Sequence, residues 1–519
     1  MDSDKNKGPK SSVTTAKAAR AQYYLLFAVF VIATCGLIYE LIAGTLASYL
    51  LGDSVMQFST IIGVYLFSMG IGSWLSKYLD GDLLKWFIRI EILVGWIGGI
   101  SAPLLFTVFE FVTSFRVVLY AMVSLTGILV GLEIPLLMRI LQNKVEFKDL
   151  VSRVFTFDYI GALLASIIFP LVLVPYLGLI RTTLFFGVIN ISVAALLLYK
   201  FKETARYRKY YYGYVLVSIS ILLIGMVFAE KIQKFSETLA YQDTIIYSES
   251  TPYQRIVITK NNRELRLYLN GNLQFSSADE YRYHEALIHP AAQYFTEPVS
   301  VLVLGGGDGL AVRELLKYKN VRDITLVDLD PAMTRLFTQN RLLSQLNDQS
   351  LKDKKVHVIN EDAFVWLKTK AMKSYQLIVV DFPDPSNYSI GKLYSNVFYK
   401  ELYKVLDTNG LAVVQSTSPF IARKSFWCIN HTLASVGFTV IPYHAYIPSF
   451  GEWGYAMVSK GRQLLHAQLP DSLKFIDNSS LSTLMRFPPD MGEIHTDINK
   501  LNNQVLVHYF ENEWSPYVH

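Results

Sequence analysis

A glycine-rich loop with an acidic residue inside it, Gly305-Gly-Gly-Asp-Gly309, is the first segment whose residue types suggest chemistry. Glycines let the backbone approach a ligand closely, and a helix N-terminus behind them favours an anion. The carboxylate of Asp308 opposes an anion, because two like charges ~4 Å apart at an effective dielectric near 20 repel by ~4 kcal/mol. Asp308 therefore argues for a ligand with a cationic end, and against a dinucleotide or an amino-acid tail. The alternative is an acid that only caps the helix through backbone amides.

Two acids further along the chain suit an adenosine-containing ligand. Asp328 lies 23 residues after Gly305, the spacing at which an acid reaches ribose hydroxyls. Asp362 follows the next buried strand, where its carboxylate could accept a hydrogen bond from an adenine amino group. Together with the glycine loop, these residues predict that an adenosine-containing cofactor or co-substrate binds here.

Asp381 and Asp384 lie three residues apart in a loop that Pro383 and Pro385 stiffen. A free amine has a pKa near 10, so only ~0.1% of it is unprotonated at neutral pH. A carboxylate that accepts the proton of an attacking amine addresses this barrier, and a second carboxylate can hold a polycation. The alternative is a stiff acidic turn without chemistry. The sequence contains no metal-ligand cluster, no serine–histidine–aspartate order and no phosphate-binding lysine loop that would suggest a different chemistry for this site.

The elements that must position these residues alternate between buried strands and helices. The predicted strands are 299–304, 324–327, 356–359, 377–380 and 411–415, with helices at 310–317 and 396–406. This rhythm predicts a doubly wound α/β sheet, in which ligands bind at the carboxyl ends of the strands. Before it, the pattern predicts a small antiparallel unit at 241–275 and a helix at 280–294.

The N-terminal half consists of long apolar runs. Seven candidate spans lie at 24–45, 58–79, 88–110, 115–140, 157–178, 181–200 and 213–229. A helix of ~20 residues crosses the ~30 Å of a bilayer, so each run is read as a span. The sequence therefore predicts a multi-pass membrane protein, with the lipid bilayer as a partner.

Charge does not decide which side of the membrane the C-terminal half faces. The basic N-terminal tail and the basic link 200–212 are both expected inside, so an odd number of spans puts the C-terminal half outside. A miscounted or re-entrant last span would reverse this. The net charge of +5 is scattered, so nucleic acid is not expected as a partner, and two cysteines argue against a disulfide framework.

Some acids lie inside or at the ends of the apolar runs, namely Glu40, Glu91, Glu133 and Asp158. A charge at mid-bilayer costs several kcal/mol, so each is a candidate functional residue. Two interpretations stay open. In one, the acids lie at span ends or pair with Arg89, Arg139 or Arg153. In the other, they line a polar cavity for a cation such as a polyamine.

Residues 241–460 resemble the spermidine/spermine synthase family. The N-terminal spans resemble those of its bacterial membrane-bound, multi-pass members, whose first span is similar to Tyr39-Glu40-Leu-Ile-Ala-Gly44, and this implies a location in the cell inner membrane. The matching segments are Tyr253-Gln254, Gln274, Asp279-Glu280, Tyr283-His284-Glu285, the glycine loop with Arg313-Glu314, Asp328, Asp362-Ala363, Asp381-Phe-Pro-Asp-Pro385, Gln415 and Gly451-Glu-Trp-Gly-Tyr455. The resemblance implies a Rossmann-like, methyltransferase-type α/β domain preceded by a small antiparallel β-hairpin subdomain, behind a multi-pass α-helical membrane domain.

The resemblance also implies a role for each site residue. The residues expected to hold decarboxylated S-adenosylmethionine are Gln254, Asp308, Asp328, Asp362 and Ala363. The residues expected to face the amine groups are His284, Asp308 and Asp384, with Asp381 as the catalytic proton acceptor. The implied reaction transfers an aminopropyl group to putrescine or a related polyamine, giving spermidine and methylthioadenosine, with no metal and no further cofactor.

Departures from the family pattern surround the acceptor pocket, and they are Asn270, Ala363, Ser386-Asn-Tyr-Ser-Ile390 and Ser449-Phe450. The alternatives are therefore another acceptor, methyl transfer, or a polyamine-sensing module coupled to transport by the spans. Homo-oligomerisation stays open. The predicted organisation is a cytoplasmic basic tail (1–22), a transmembrane domain of about seven helices (23–230), a β subdomain (231–295), a Rossmann-like domain (296–460) and a C-terminal extension (461–519).

Overall fold

The chain divides into an N-terminal unit, Met1–Gln242, and a C-terminal unit, Asp243–His519. The structure is a computed structural model. It describes residues 10–51, 54–109, 115–142, 146–200, 208–241, 243–262, 264–371, 373–461 and 468–517.

Helices make up the N-terminal unit. They are α1 (Lys10–Leu51), α2 (Ser54–Leu75), α3 (Leu83–Phe109), α4 (Phe115–Leu141), α5 (Phe147–Ile168), α6 (Val174–Lys200) and α7 (Arg208–Ala240), with a short 3₁₀ turn at Ser76–Tyr78 and a π-helical turn at Phe169–Leu173. Because α7 continues to Ala240, the β region begins later than the predicted boundary at 231.

Among the described residues, six helical stretches are long and apolar enough to cross a membrane, where the sequence predicted seven. The difference lies in Lys148–Lys200, which contains both of the predicted spans 157–178 and 181–200. A straight helix of that length would measure about 80 Å, more than twice the thickness of a hydrocarbon core. The stretch is broken at Gly178, whose φ of 71° and ψ of 174° are open to glycine but not to a residue with a side chain. The two predicted spans therefore lie on either side of this break.

Small residues allow the helices of this unit to pack closely. A Cβ at Gly72 of α2 would lie 2.0 Å from the carbonyl oxygen of Ile128, and one at Gly131 of α4 would lie 2.2 Å from that of Met69. Such close backbone approach is typical of helices that associate in a membrane. Large apolar side chains such as Phe67 remain exposed on the outside of the unit.

The C-terminal unit begins with a four-stranded antiparallel sheet, which confirms the predicted antiparallel unit. Its strands are β1 (Thr244–Ser250), β2 (Arg255–Lys260), β3 (Leu265–Leu269) and β4 (Asn272–Ser276), paired in chain order. Asn270, at the turn between β3 and β4, adopts a positive φ of 50°, a conformation that asparagine tolerates better than most residues.

A seven-stranded sheet follows. Its strands are β5 (Val299–Gly305), β6 (Val321–Asp328), β7 (Val356–Asn360), β8 (Tyr375–Asp381), β9 (Leu406–Gln415), β10 (Thr439–Ile447) and β11 (Gly451–Ser459), in the order β10-β11-β9-β8-β5-β6-β7. Strands β5 to β9 are parallel, whereas β11 and β10 run antiparallel at one edge. The five predicted strands are confirmed, and the edge hairpin was not predicted.

Helices cover both faces of this sheet. They are α8 (Glu280–Ala292), α9 (Leu310–Leu315), α10 (Pro331–Gln339), α11 (Arg341–Leu346), α12 (Ala363–Thr369), α13 (Tyr388–Gly391), α14 (Asn396–Val405), α15 (Arg423–Ser435), α16 (Asn478–Leu484) and α17 (Val505–Trp514). Successive strand residues point to opposite faces. Val301 and Val303 of β5 therefore enter the core beneath α8, α9 and α10, while Leu302 and Leu304 enter the core beneath α12, α14 and α15. Strands buried on both faces read as continuous apolar runs, which is why the sequence revealed them.

Candidate active site

The glycine loop lies against the carboxyl end of β8. The sheet register pairs Gly305 with Asp381, and a Cβ at Gly305 would lie 2.1 Å from the carbonyl oxygen of Asp381. Gly305, Gly306 and Gly309 all have positive φ, which glycine adopts without steric cost. The loop therefore forms a narrow backbone cradle at the carboxyl end of β5, which is the strand end where the sequence placed it.

Asp328 holds the shape of this loop. Its Oδ2 accepts a hydrogen bond of 3.0 Å from the backbone N–H of Gly307, and its Oδ1 accepts one of 2.9 Å from Asp330. Burial raises the pKa of Asp328 to about 6, against these two hydrogen bonds. The side chain predicted to reach a ribose thus lies at the predicted strand end, with both carboxylate oxygens already bound to backbone donors.

Gln254 reaches the same strand end from the antiparallel sheet. Its Nε2 donates a hydrogen bond of 3.0 Å to Oδ2 of Asp330, which also accepts one of 2.8 Å from the hydroxyl of Thr251. Asp330 is almost fully buried and caps α10 through the backbone N–H of Ala332. Asp330 therefore positions Gln254, a function that was not assigned to it from the sequence.

Asp362 is the N-cap of α12. Its Oδ1 accepts hydrogen bonds from the backbone N–H groups of Phe364 and Val365, and its Oδ2 lies 2.8 Å from Nζ of Lys392. Although burial opposes the change, the ammonium group of Lys392 helps to lower the pKa of Asp362. Ala363 follows in the first turn and is buried. An adenine amino group that bound Asp362 would have to compete with Lys392, a residue the sequence did not single out.

His284 brings a positive charge into the acidic crevice. Its Nδ1 lies 2.9 Å from Oε2 of Glu280, one turn earlier in α8. Burial lowers the pKa of His284, but Glu280 outweighs this effect, and the pKa rises to about 9. Asp308 and Asp381 also interact electrostatically with this imidazole. The positive charge of His284 therefore offsets part of the negative charge of the acids that the sequence predicted in this crevice.

Asp308 lies at the start of α9, where its Oδ1 accepts a hydrogen bond of 2.9 Å from the backbone N–H of Leu310. Burial raises the pKa of Asp308, and the neighbouring His284 opposes the rise. The interpretation of Asp308 as a helix-capping acid thus accounts for one of its oxygens. The same carboxylate interacts electrostatically with Asp381, so capping does not remove it from the crevice.

Asp381 ends β8, and its Oδ1 accepts a hydrogen bond of 2.6 Å from the hydroxyl of Tyr283 in α8. Burial raises the pKa of Asp381 to about 6, while His284 and the Tyr283 hydrogen bond oppose the rise and Asp308 adds to it. A carboxylate with this pKa is ionised at neutral pH but accepts a proton more readily than a free aspartate. It is suited to act as a general base.

Asp384 lies in the same loop, which polar side chains hold in place. Nε2 of Gln415 donates hydrogen bonds of 3.0 Å to both Oδ1 of Asp384 and the carbonyl oxygen of Phe382. The hydroxyl of Tyr394 donates to the carbonyl oxygens of Phe382 and Pro383. Burial raises the pKa of Asp384 to about 7, against its hydrogen bond from Gln415.

A buried ionic network fixes α8, which carries Tyr283 and His284. Arg313 of α9 binds Glu280 through two N–O contacts of 2.9 Å and also contacts Glu314 at 2.9 Å. Glu314 in turn lies 2.9 Å from Nε2 of His289, one of the fully buried residues of α8. The network joins α8 to α9, so it aligns the Tyr283 side of the crevice with the glycine loop.

The segment between β10 and β11 also contacts α8. Asp279, immediately before this helix, accepts hydrogen bonds from the backbone N–H and the hydroxyl of Ser449. The ring of Phe450 lies 6.4 Å from that of Tyr283, and Tyr455 of β11 lies 5.7 Å from it. An aromatic wall therefore forms beside the acids.

The C-terminal extension docks on the same helix. The carboxylate of Glu285 accepts hydrogen bonds of 2.8 to 3.1 Å from three successive backbone N–H groups, those of Lys474, Phe475 and Ile476. The extension is thus hydrogen-bonded to Glu285, the residue immediately after His284. In the described part of the chain, no group of three or more histidine, cysteine, aspartate or glutamate residues could hold a metal ion.

The chain is similar to known proteins over most of its length. Residues 280–468 match the family described as Spermine/spermidine synthase domain. The chain is 49% identical over 494 residues to the polyamine aminopropyltransferase of Leptospira interrogans, which covers 95% of this chain and 99% of that protein. It is 50% identical over 504 residues to polyamine aminopropyltransferase 2 of Ralstonia nicotianae, covering 95% and 99%. A crystal structure of spermidine synthase in complex with the transition state analogue AdoDATO aligns with 47% of this chain and 86% of its own, at 23% identity and a TM-score of 0.44.

Proposed function

The chain belongs to the polyamine aminopropyltransferases, which carry the spermine/spermidine synthase domain, and we propose that it transfers the aminopropyl group of decarboxylated S-adenosylmethionine to putrescine. The products are spermidine and methylthioadenosine. The observation that carries this proposal is the partly buried carboxylate of Asp381, held by Tyr283 at the strand end beside the glycine loop.

The reaction requires a neutral amine. The nitrogen lone pair attacks the aminopropyl carbon bound to the sulfonium, a C–N bond forms, and the C–S bond breaks with its electron pair remaining on sulfur. The sulfonium becomes a neutral thioether, and the attacking nitrogen must lose a proton. Asp381 accepts that proton, because its pKa of about 6 brings it closer to the pKa of an amine than a free aspartate is.

The other acids bind the cationic groups of the substrates. Asp384 receives the distal ammonium of the diamine, and Asp308 receives the amine end of the donor. Asp328 and Gln254 bind the ribose side of the nucleoside, and Asp362 with Ala363 binds adenine. In support, these residues lie at the carboxyl ends of neighbouring parallel strands, or reach them as Gln254 does.

An assay of the purified full chain tests both substrates. With decarboxylated S-adenosylmethionine and putrescine, we expect equal amounts of methylthioadenosine and spermidine. Use of S-adenosylmethionine in preference to the decarboxylated donor would contradict the role of Asp308. Turnover with a longer amine and not with putrescine would overturn the proposed acceptor alone.

We also propose that the N-terminal unit crosses the cell inner membrane. Its six long apolar helical stretches and its exposed large apolar side chains support this location. A chain that spans the bilayer should stay in the membrane fraction after an alkaline carbonate wash and leave it only with detergent. Release by carbonate alone would contradict the proposal.

A further inference from the structure

Three polar side chains meet in the interior of the helical N-terminal unit. Glu91 of α3, Glu133 of α4 and Asn190 of α6 are each at most 1% exposed. Nδ2 of Asn190 donates a hydrogen bond of 2.9 Å to Oε2 of Glu91, and the carboxyl group of Glu133 interacts electrostatically with that of Glu91. The other buried residues of α3 are apolar or glycine, so these acids are set in an apolar environment.

Two of the arginines that could neutralise these acids have other partners. Nε of Arg89 donates a hydrogen bond of 2.7 Å to the hydroxyl of Tyr211. Arg139 binds the carbonyl oxygens of Ser76 and Leu79 and forms an ion pair with Asp80. Pairing with Arg89 or Arg139 therefore does not account for Glu91 and Glu133.

Several oxygens of this cluster accept no hydrogen bond from a donor in the described part of the unit. They are Oε1 of Glu91, both carboxylate oxygens of Glu133 and Oδ1 of Asn190. The hydroxyl of Tyr39 from α1 is also without a partner among these residues. It is 4% exposed and interacts electrostatically with both Glu133 and Glu91. A buried carboxylate without a donor is strongly unfavourable, so the cluster has to take up protons or bind a cation.

We propose that Glu91, Glu133, Asn190 and Tyr39 form a binding site for a primary ammonium group of an alkyl diamine or polyamine. An ammonium offers three donors, which match the unpaired carboxylate, amide and hydroxyl oxygens, and its alkyl chain suits the apolar walls. A transition-metal ion fits less well, because the described residues contain no group of three histidine, cysteine, aspartate or glutamate side chains that could hold one. This site is separate from the substrate crevice of the C-terminal unit.

Equilibrium dialysis of labelled putrescine against the full chain in lipid nanodiscs tests the site. We expect two putrescine molecules per wild-type chain, one in each unit, and one per chain in Glu91→Gln and in Glu133→Gln. Aminopropyl transfer should be unchanged in both variants. The matched control is Glu230→Gln, because Glu230 is an acid of the same unit that already pairs with Arg181, and it should keep both molecules.

The outcome separates this site from the proposed function. If the C-terminal unit bound no putrescine, the wild type would hold one molecule and both glutamine variants would hold none. Unchanged binding in both variants would overturn the site. A second measurement avoids variants that fail to fold: putrescine should protect Glu91 and Glu133 of the wild type from modification by a hydrophobic carbodiimide. Equal modification with and without putrescine would mean that the two carboxyl groups share a proton and bind no amine.

Discussion

The hydroxyl of Tyr283 lies 2.6 Å from Oδ1 of Asp381, although 98 residues separate the two in the chain. This hydrogen bond stabilises the ionised carboxylate and lowers the pKa of Asp381 against the stronger effect of burial. The tyrosine therefore tunes the proton acceptor as well as orienting it. Its removal and the removal of the carboxylate should have different effects.

Asp381→Asn removes the proton acceptor and should reduce kcat by at least ~100-fold, since general base catalysis contributes ~10²–10⁴-fold. The amide retains the size of the carboxylate and can still accept the hydrogen bond of Tyr283. Single-turnover rates measure the loss, and circular dichroism checks the fold. A folded variant with near-normal turnover would remove Asp381 from this role.

Tyr283→Phe should lower kcat about 10-fold, because a hydrogen bond to a charged group contributes ~1.5–3 kcal/mol. The pKa of Asp381 should rise when the donor is lost, so the acidic limb of the pH–kcat profile should move to higher pH. Tyr281→Phe is the control, because Tyr281 lies two residues earlier on the same helix and its ring contacts Lys474. A lower kcat with an unmoved limb would assign Tyr283 a purely structural role.

The pH dependence of kcat/KM should show two acidic steps. Both carboxyl groups must be ionised, and burial raises the pKa of Asp384 to about 7 and that of Asp381 to about 6. Activity should therefore fall as the pH drops through about 7, and more steeply below about 6. Asp384→Asn should abolish the upper step. A profile that stays level down to about pH 5 would contradict both assignments.

Arg313→Ala should destabilise the contact between α8 and α9 by ~3–5 kcal/mol, because it leaves the buried Glu280 without its bidentate partner. Hydrogen exchange in peptides from the two helices measures the free energy of opening. Arg322→Ala is the matched control, since Arg322 is 66% exposed and its pair with Asp323 should contribute at most ~1 kcal/mol. Equal effects of the two substitutions would contradict the importance of the network.

Gly307→Ala should raise the KM for the aminopropyl donor at least ~10-fold, since a Cβ there would lie 2.6 Å from Oδ2 of Asp328 and displace it. Steady-state kinetics at saturating putrescine measures the change. Gly492→Ala serves as the control, because its Cβ would meet no atom closer than 3.5 Å. Normal donor KM in Gly307→Ala would show that Asp328 can move without cost.

The sequence predicted the strand ends better than the contacts between them. Strands β5 and β8 were visible because parallel strands buried on both faces are continuous apolar runs, and the residues that end them, Gly305 and Asp381, follow from chain order. The partner of Asp381 was not predictable in this way, because Tyr283 reaches it from a helix of another segment. The segment around Tyr283 was recognised as a family motif. The periodicity of its helix, however, does not show which residue the tyrosine hydroxyl contacts.

The local sequence also did not show which other groups of the protein contact a side chain that was predicted to bind a ligand. Asp362 was predicted as an adenine ligand, yet Lys392, 30 residues later, already contacts it. Likewise, hydropathy divided Lys148–Lys200 into two spans but did not show that they form one stretch broken at Gly178. Both features depend on the three-dimensional path of the chain.

The bond between Glu285 and residues 474–476 has a consequence for shortened chains. A product that stopped before Lys474 would keep every acid at the strand ends. However, the carboxylate of Glu285, on the helix that carries Tyr283, would lose its three backbone N–H donors. We therefore expect premature termination or proteolytic clipping in this region to loosen the helix that carries Tyr283 and to lower transferase activity.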